Sequence, residues 1–357
     1  MNILQTNGYT IQFKKEGYEA LNQYIAASNP SKIVLLTDEN THAYCQNHFL
    51  SKLNSSVKVI ITSIPSGETH KNIHTCIDLW NFLSQNNIDR SALMINLGGG
   101  VITDIGGFVA STHIRGIQYI NIPTTLLSMV DASIGGKTGI DLGLLKNQVG
   151  LIINPKMVIV DPFYLNTLPK AEIHSGVAEI LKHGLIHSED YWKLVTKEPI
   201  QLNNLIDDII YESILIKKEI VEKDPGEKGL RKSLNYGHTL GHAIETYSLS
   251  GKYLPPLLHG EAVAIGLILE TYLSHKIYGF PKQTLSELCA SYTEYYEKIN
   301  FNKEAIDEIL PLMKFDKKNK NGNINFVFLE AIGKPLFECR ADNNFIYNAF
   351  DFYANLK

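Results

Sequence analysis

The spacing of apolar residues divides the chain into two stretches of different periodicity. Short runs rich in β-branched residues, Lys32–Leu36, Val57–Ile64, Ala92–Leu97, Tyr119–Ile122 and Met157–Val160, read as strands. Asn72–Asn87 has helical spacing, with Ile73, Ile77, Trp80 and Leu83 on one stripe. Alternation of this kind predicts a parallel, doubly wound α/β sheet. From about Pro169 long segments of helical period follow one another: Lys170–Ile186, Ile206–Asp224, Lys232–Tyr247, Glu261–Tyr278 and Lys303–Met313. Only Asn325–Leu329 reads as a late strand. The change of period places a boundary at Leu168-Pro169, giving an α/β domain over 1–168 and a mostly α-helical domain over 169–357. A length of 357 residues, more than one hydrophobic core usually serves, agrees with two domains.

Composition excludes several classes. Hydrophobic and charged fractions of 44% and 20% are ordinary for a globular protein. A net charge of −4 offers no field to recruit nucleic acid or an anionic membrane. No apolar run approaches the roughly 20 residues that span a bilayer, and the N-terminal MNILQTNGYTIQFKK lacks the apolar core of a signal peptide. Cys45, Cys76, Cys289 and Cys339 lie far apart without a CxxC pair, so they read as free thiols in a reducing compartment. The expectation is a cytoplasmic enzyme. The basic cluster Lys314–Lys320 is interrupted by Asp316 and reads as a solvated turn.

The densest chemistry lies in SLNYGHTLGHAIE (Ser233–Glu245) and LLHGEAVAIG (Leu257–Gly266). His238 and His242 stand four apart and share a helix face. His259 heads the next helical run, and Glu179 lies upstream in SGVAEILKHGLI. Two imidazoles and a carboxylate, with a position left open, form the ligand set of a catalytic zinc site. Taken singly, His238 or His242 reads better as a structural histidine, and Glu179 with His183 forms a weaker competing pair. Gly98-Gly99-Gly100-Val101 follows a strand and opens a helix, where bare backbone and helix-start N–H groups suit a pyrophosphate. Thr103 stands where the dinucleotide fingerprint has its third glycine, so a plain tight turn competes evenly. Asp38, ending a strand, is placed to accept from a ribose hydroxyl or to cap a helix. Gly136-Lys137-Thr138 imitates a P-loop, but Asp131 occupies its required first glycine, which excludes that reading. Arg115, Asp131, Lys137, Lys146 and Asn147 form a set able to grip an anionic polyol, while Lys217, Arg231 and Asn235 form a candidate phosphate cluster that competes with ordinary solvated helix charges.

Together, GGGVITDIGGF, RGIQYINIPTTLLSMVDASIGGKTGID, LKNQVG, LNTLPKAEIHSGVAEILKHGLI, GLRKSLNYGHTLGHAIE and LLHGEAVAIG resemble the 3-dehydroquinate synthases, in order and over nearly the whole chain. Broader relatives are the sugar-phosphate cyclases and the metal-dependent glycerol and alcohol dehydrogenases. The resemblance implies an N-terminal NAD-binding α/β domain, a helical metal-binding domain, an active site in the cleft between them, and a homodimer. It implies Glu179, His238 and His259 as ligands of Zn²⁺ or Co²⁺, which moves His242 from the ligand pair to the substrate-contacting set. It implies NAD contacts from Asp38, Glu68, Lys71, Gly99, Gly100, Val101, Asp104, Thr124, Thr125, Lys137, Lys146, Thr167 and Leu168. Asp131, Lys137, Lys182, Asn235 and His242 become catalytic candidates, and Arg115, Asn147, Lys217 and Arg231 substrate contacts, with Lys317 or Lys318 as a further cation.

The implied reaction converts 3-deoxy-D-arabino-heptulosonate 7-phosphate to 3-dehydroquinate and phosphate through transient NAD reduction, β-elimination, re-reduction and aldol closure. Four positions depart from the family pattern: Thr103 for Gly, Asp141 for Asn, Leu145 for Gly and Pro225 for an acidic residue. Three other readings stand beside this one: a cyclase of another sugar phosphate, a glycerol-dehydrogenase-like oxidoreductase, and a non-catalytic sugar-phosphate-binding protein.

Overall fold

A computed structural model of the chain describes residues 3–143, 145–202, 205–250, 254–315 and 324–356. It forms two compact units, Met1–Pro169 and Lys170–Lys357.

The first unit is built on strands β1 (Leu4–Gln5), β2 (Thr10–Phe13), β3 (Ile33–Asp38), β4 (Val59–Ile64), β5 (Leu93–Gly98) and β6 (Gln118–Pro123), then a hairpin of β7 (Lys137–Leu142) and β8 (Leu145–Ile152), and last β9 (Met157–Val160). Seven strands form one sheet in the order β1-β2-β9-β6-β5-β3-β4, parallel except for the β1–β2 edge. Helices α1 (Lys14–Ser28), α2 (Glu39–Tyr44), α3 (Gln46–Lys52), α4 (Ile73–Gln85) and α5 (Gly100–Thr112) surround it. β3 and β5 are buried along nearly their whole length, which is why they read as continuous apolar runs rather than alternating ones. α5 lies close on the sheet because Gly106 has no side chain: a Cβ there would stand 2.0 Å from Oδ1 of Asn96. β3 connects outward to the edge strand β4 and the chain returns to β5 on its other side, so the carboxyl ends of β3 and β5 flank a topological switch point. The β1–β2 edge and α1 were not legible as elements, since α1 opens KKEG and its stripe of Tyr18, Leu21 and Ile25 is sparse. The glycine-rich loop at residues 133–139 runs into β7, so that stretch is half of a hairpin rather than a free loop.

The second unit comprises α6 (Lys170–His187), α7 (Glu189–Thr196), α8 (Leu205–Lys223), α9 (His238–Leu249), α10 (His259–Tyr278), α11 (Lys282–Tyr295), α12 (Lys303–Leu312), the hairpin β10 (Phe326–Ala331) with β11 (Lys334–Cys339), and α13 (Asn343–Ala354). α10 is its central post, apolar on almost every side and packed by α6, α9, α11 and α13. Two expectations are corrected. The helix expected over Lys232–Tyr247 is a 3₁₀ turn at Leu230–Asn235 followed by α9, because Gly237 takes a left-handed φ of 78° and interrupts the helix before His238. The single late strand is a hairpin; β11, half-exposed and carrying Pro335 and charged residues, has no apolar signature. Among the described residues no helix is long and apolar enough to cross a membrane, and Cys45, Cys76, Cys289 and Cys339 are all free thiols.

Candidate metal and nucleotide sites

In the helical unit, packing of α6, α9 and α10 gathers the imidazoles and the carboxylate. Gly260 N donates to Ser175 Oγ at 3.0 Å, and a Cβ on Gly260 would lie 2.0 Å from the Ser175 carbonyl oxygen. That contact sets the start of α10 against α6 one turn before Glu179. The start of α9 is fixed by Glu270 of α10, whose buried carboxylate accepts from Gly237 N and Leu240 N, both at 2.9 Å. A Cβ on Gly266 would lie 2.0 Å from the Gly237 carbonyl oxygen, so this glycine lets α9 and α10 touch through backbone.

The result is a tight cluster. Nε2 of His238 and Nε2 of His259 lie 3.4 and 3.5 Å from the same oxygen, Oε1 of Glu179, which is 1% exposed. Nδ1 of His238 is 3.0 Å from the Tyr236 carbonyl and Nδ1 of His259 is 3.1 Å from Oε2 of Glu245. Both of these partners only accept, so each Nδ1 can donate to them, which turns each Nε2 toward Glu179 and leaves it able to serve as a metal ligand. Burial, then Lys182, hold the His238 pKa below its ordinary value, which keeps its Nε2 available. Oε2 of Glu179 is ion-paired with Lys182, while Oε1 is met only by the two imidazole nitrogens at these longer distances. Burial opposes its ionisation, but Lys182 and His238 outweigh burial and hold it well below the usual carboxylate range. A buried carboxylate with two imidazole nitrogens converging on one of its oxygens is a donor set that suits a divalent cation. The side chain of His242 joins the group: one ligand atom each from His238, His242 and His259 lies within 4.8 Å of the others. His183 places a ligand atom within 4.8 Å of a Glu179 oxygen, while its Nδ1 lies 2.6 Å from Ser213 Oγ.

Among the described residues of this unit, Lys182 on α6, in direct ion pairing with Glu179, Lys217 on α8, and Arg231 on the 3₁₀ turn are buried cations. α6, α8 and that turn pack against one another. Arg231 donates from its guanidinium to the Pro225 carbonyl at 3.0 Å, and Asp224 shapes the loop by accepting from the backbone of Lys228, Gly229 and Arg231. Pro225 thus contributes only its carbonyl here, which any residue supplies. Asn235 donates to Glu227 at 2.8 Å. Lys317 and Lys318 lie outside the described residues.

In the α/β unit, Asp38 ends β3 and caps α2, its carboxylate accepting from Thr41 N at 2.7 Å. Gly98 ends β5, Gly99 is the N-cap of α5, and Gly100 and Val101 begin that helix. Thr124 follows β6 and ties back to Gly98 through its backbone at 3.0 Å, while Thr125 sits where a Cβ on Gly99 would come within 2.9 Å. These residues line the carboxyl ends of β3, β5 and β6, where an open α/β sheet receives its ligand. Thr103, at the first departure, is buried and donates to Gly100 O at 3.1 Å without disturbing the helix start. A charged group completes the unit: Lys71 Nζ pairs with Asp104 at 2.7 Å and Glu68 at 3.6 Å, and Lys146 pairs with Glu68 at 3.0 Å. Asp131 falls in a single π-helical turn, Ser128–Ala132, a distortion concentrated at functional positions. Lys137 opens β7 and is exposed, as is Arg115, which follows Ile114 in a left-handed pair with φ of 68° and 42°. Thr167 and Leu168 end the 3₁₀ turn that closes the unit.

Sequence reasoning did not single out Glu245, Glu270 or Ser175. Glu245 was legible in principle, lying seven residues after His238 and three after His242 on one helix face. Glu270 and Ser175 were not, because only the packing of α10 on α9 and α6 gives them partners.

The chain thus has the fold of a doubly wound α/β unit followed by a helical unit. The solved structure of a 2-epi-5-epi-valiolone synthase from Streptomyces hygroscopicus, with NAD⁺ and Zn²⁺ bound, shares it with a TM-score of 0.87 at 24% identity, covering 100% of this chain and 99% of that one. Within that fold, residues 61–175 match the 3-dehydroquinate synthase N-terminal family and residues 176–319 the 3-dehydroquinate synthase C-terminal family. The 3-dehydroquinate synthase of Parabacteroides distasonis is 40% identical over 335 residues, 93% of this chain and 94% of that protein. That of Dictyoglomus thermophilum is 41% identical over 298 residues, 82% of each. The chain belongs to the 3-dehydroquinate synthase family.

Proposed function

We propose that the protein is a 3-dehydroquinate synthase, a phosphate-eliminating carbon–oxygen lyase converting 3-deoxy-D-arabino-heptulosonate 7-phosphate to 3-dehydroquinate and phosphate in aromatic amino acid biosynthesis. The observation that carries the reading is the pairing, within one unit, of the Glu179–His238–His259 cluster with the buried cations Lys182, Lys217 and Arg231. Positive charge gathered in one buried region suits a substrate that carries a carboxylate and a phosphate.

When bound, NAD⁺ supplies a reversible hydride acceptor and Zn²⁺ or Co²⁺ a Lewis acid, so the net reaction is not a redox reaction. The residues of the chain do the rest. Glu179, His238 and His259 hold the metal. Lys217, Arg231, Arg115 and Asn147 bind and orient the anionic substrate, and Lys137 serves both substrate and cofactor. Asn235 and His242 hold or move protons near the metal-binding cluster, Asp131 orients the reacting groups, and Lys182 supplies positive charge beside Glu179. Asp38, Glu68, Lys71, Gly99, Gly100, Val101, Asp104, Thr124, Thr125, Lys146, Thr167 and Leu168 bind NAD. We assign nucleotide binding to the unit ending near residue 168 and metal binding to the helical unit, and read the enzyme as a cytoplasmic homodimer whose partner is a small molecule rather than nucleic acid or membrane.

The test is phosphate release from 3-deoxy-D-arabino-heptulosonate 7-phosphate with trace NAD⁺, with and without a chelator. Many turnovers per NAD⁺, lost to the chelator and restored by Zn²⁺, are expected. A folded, metal-loaded protein that releases no phosphate would overturn the reading. Stoichiometric build-up of NADH with a polyol would replace it by a glycerol-dehydrogenase-like one.

A further inference from the structure

The charged group around Lys71 contains a closed ring of three residues. Asp141 N donates to the Lys71 carbonyl at 2.8 Å. Asn147 N donates to the Asp141 carboxylate at 2.6 Å, and Lys71 Nζ donates to Asn147 Oδ1 at 2.6 Å. The ring forms where the hairpin is irregular. Ile140 pairs with Val149 and Leu142 with Leu145, so Asp141 alone faces residues 146–148 of a bulge. Within that bulge Asn147 is left-handed, with a φ of 52°, a conformation that costs free energy unless its surroundings impose it. The ion pairs of Lys71 with Asp104 and Glu68, and of Glu68 with Lys146, join the ring to the residues assigned to NAD.

Two consequences follow from the chemistry. A lysine only donates, so the atom facing Lys71 is the amide oxygen of Asn147, and the amide NH₂ is the part left to meet an acceptor. The Asp141 carboxylate holds the backbone N–H of Asn147 at this twist.

We propose that Asp141 is a positioning residue that locks Asn147 in its left-handed conformation with the amide NH₂ presented to an anionic substrate oxygen, and so links the cofactor-binding charges to the substrate-binding amide. This rests on the assignment of Asn147 to the substrate and of Lys71 to NAD. The groups facing Asp141 are Lys71, Glu68, Lys146 and the Asn147 backbone. Burial, then Glu68, outweigh the two lysines and push its carboxyl up to about 6.

The experiment uses the full chain loaded with NAD⁺ and Zn²⁺ and compares wild type, Asp141→Ala and Asp141→Asn from pH 5.5 to 8. In wild type the KM for the sugar phosphate rises as pH falls through about 6. Asp141→Ala raises KM about tenfold at pH 8 with kcat within about threefold, the loss expected for one charge-assisted hydrogen bond that orients a side chain. Asp141→Asn keeps an acceptor but no charge; its KM rises about threefold at pH 8, and its acid limb is shallower than that of wild type, keeping only the share due to the substrate phosphate and the metal ligands, which a merely structural role would not produce. NAD⁺ affinity by calorimetry weakens about threefold in Asp141→Ala, because Lys71 loses a fixed partner. A folded Asp141→Ala protein with KM and NAD⁺ affinity within twofold of wild type overturns the proposal, as does an acid limb unchanged in Asp141→Asn. If wild type itself releases no phosphate, the function assignment fails, and the NAD⁺ titration still decides the ring.

Discussion

Oε2 of Glu245 lies 3.1 Å from Nδ1 of His259, while Nε2 of the same ring faces Glu179. The carboxylate therefore fixes the tautomer and the ring plane together. Glu245 is itself buried, so it is a dedicated orienting group rather than a passing surface contact. Glu245→Ala should weaken metal binding about 10- to 100-fold, the usual effect of removing such a partner, and Glu245→Gln, which still accepts, should weaken it less. Competition with a chromophoric chelator measures both. Unchanged affinity in Glu245→Ala would show that His259 is oriented by its backbone alone.

Removing the metal should lower stability measurably. Without the metal, the nitrogens of His238 and His259 meet Oε1 of Glu179 only at 3.4 and 3.5 Å. A free metal concentration about 100-fold above Kd stabilises by roughly 2.7 kcal/mol, which differential scanning calorimetry with and without chelator would detect. The pH dependence has a definite sign. Lowered by burial and Lys182, the His238 pKa lies below its ordinary value of about 6.5. Its lone pair is therefore present at neutral pH, and metal affinity should hold from pH 8 to about 6.5 and fall only in more acidic solution. A midpoint of metal loss well above pH 7 would contradict the environment described for His238.

The Glu270 carboxylate carries the start of α9, and with it His238, by accepting from Gly237 N and Leu240 N. Glu270→Gln turns one acceptor into a donor facing an N–H, with a cost of about 2–3 kcal/mol for a buried charge-assisted pair. Urea denaturation should register that loss, and metal affinity should fall with it. Glu270→Gln with wild-type stability and metal binding would mean that the helix start is held by Gly266 and its neighbours instead.

What the sequence disclosed and what it withheld have physical causes. β3, β5, β6 and β9 were legible because strands buried on both faces are continuous apolar runs, α8 and α12 because their apolar stripes recur at helical period, and α6 and α10 because their apolar runs are too long for a strand. The hairpin β7–β8 and strand β11 were not, since their exposed, glycine- and charge-bearing residues show no two-residue alternation. At the metal cluster, spacing alone paired His238 with His242. Glu179 stood as a candidate on the residues alone; moving His242 out of the ligand set needed the family resemblance, and the geometry needed three helices meeting through Gly260, Gly266 and Gly237. The ring of Lys71, Asp141 and Asn147 was invisible, because it joins residues about 70 positions apart through a bulge that no propensity encodes.

Lys182 sets two effects against each other. It is buried on α6 and ion-paired with Glu179, three residues earlier. That positive charge opposes a divalent cation held by the same carboxylate, and it also lowers the proton affinity of His238. A like charge one ligand away from a divalent ion is worth roughly 1–2 kcal/mol even in a water-like dielectric. Lys182→Met, which preserves the aliphatic volume, should therefore bind Zn²⁺ about tenfold more tightly. The same change removes a cation assigned to the anionic substrate, so kcat/KM should fall at least 100-fold, a loss of about 2.7 kcal/mol in transition-state stabilisation. Tighter metal with lost turnover separates a charge placed for the reaction from one placed to hold the metal site together. Weaker metal binding in Lys182→Met would assign Lys182 the second role and remove it from the catalytic set.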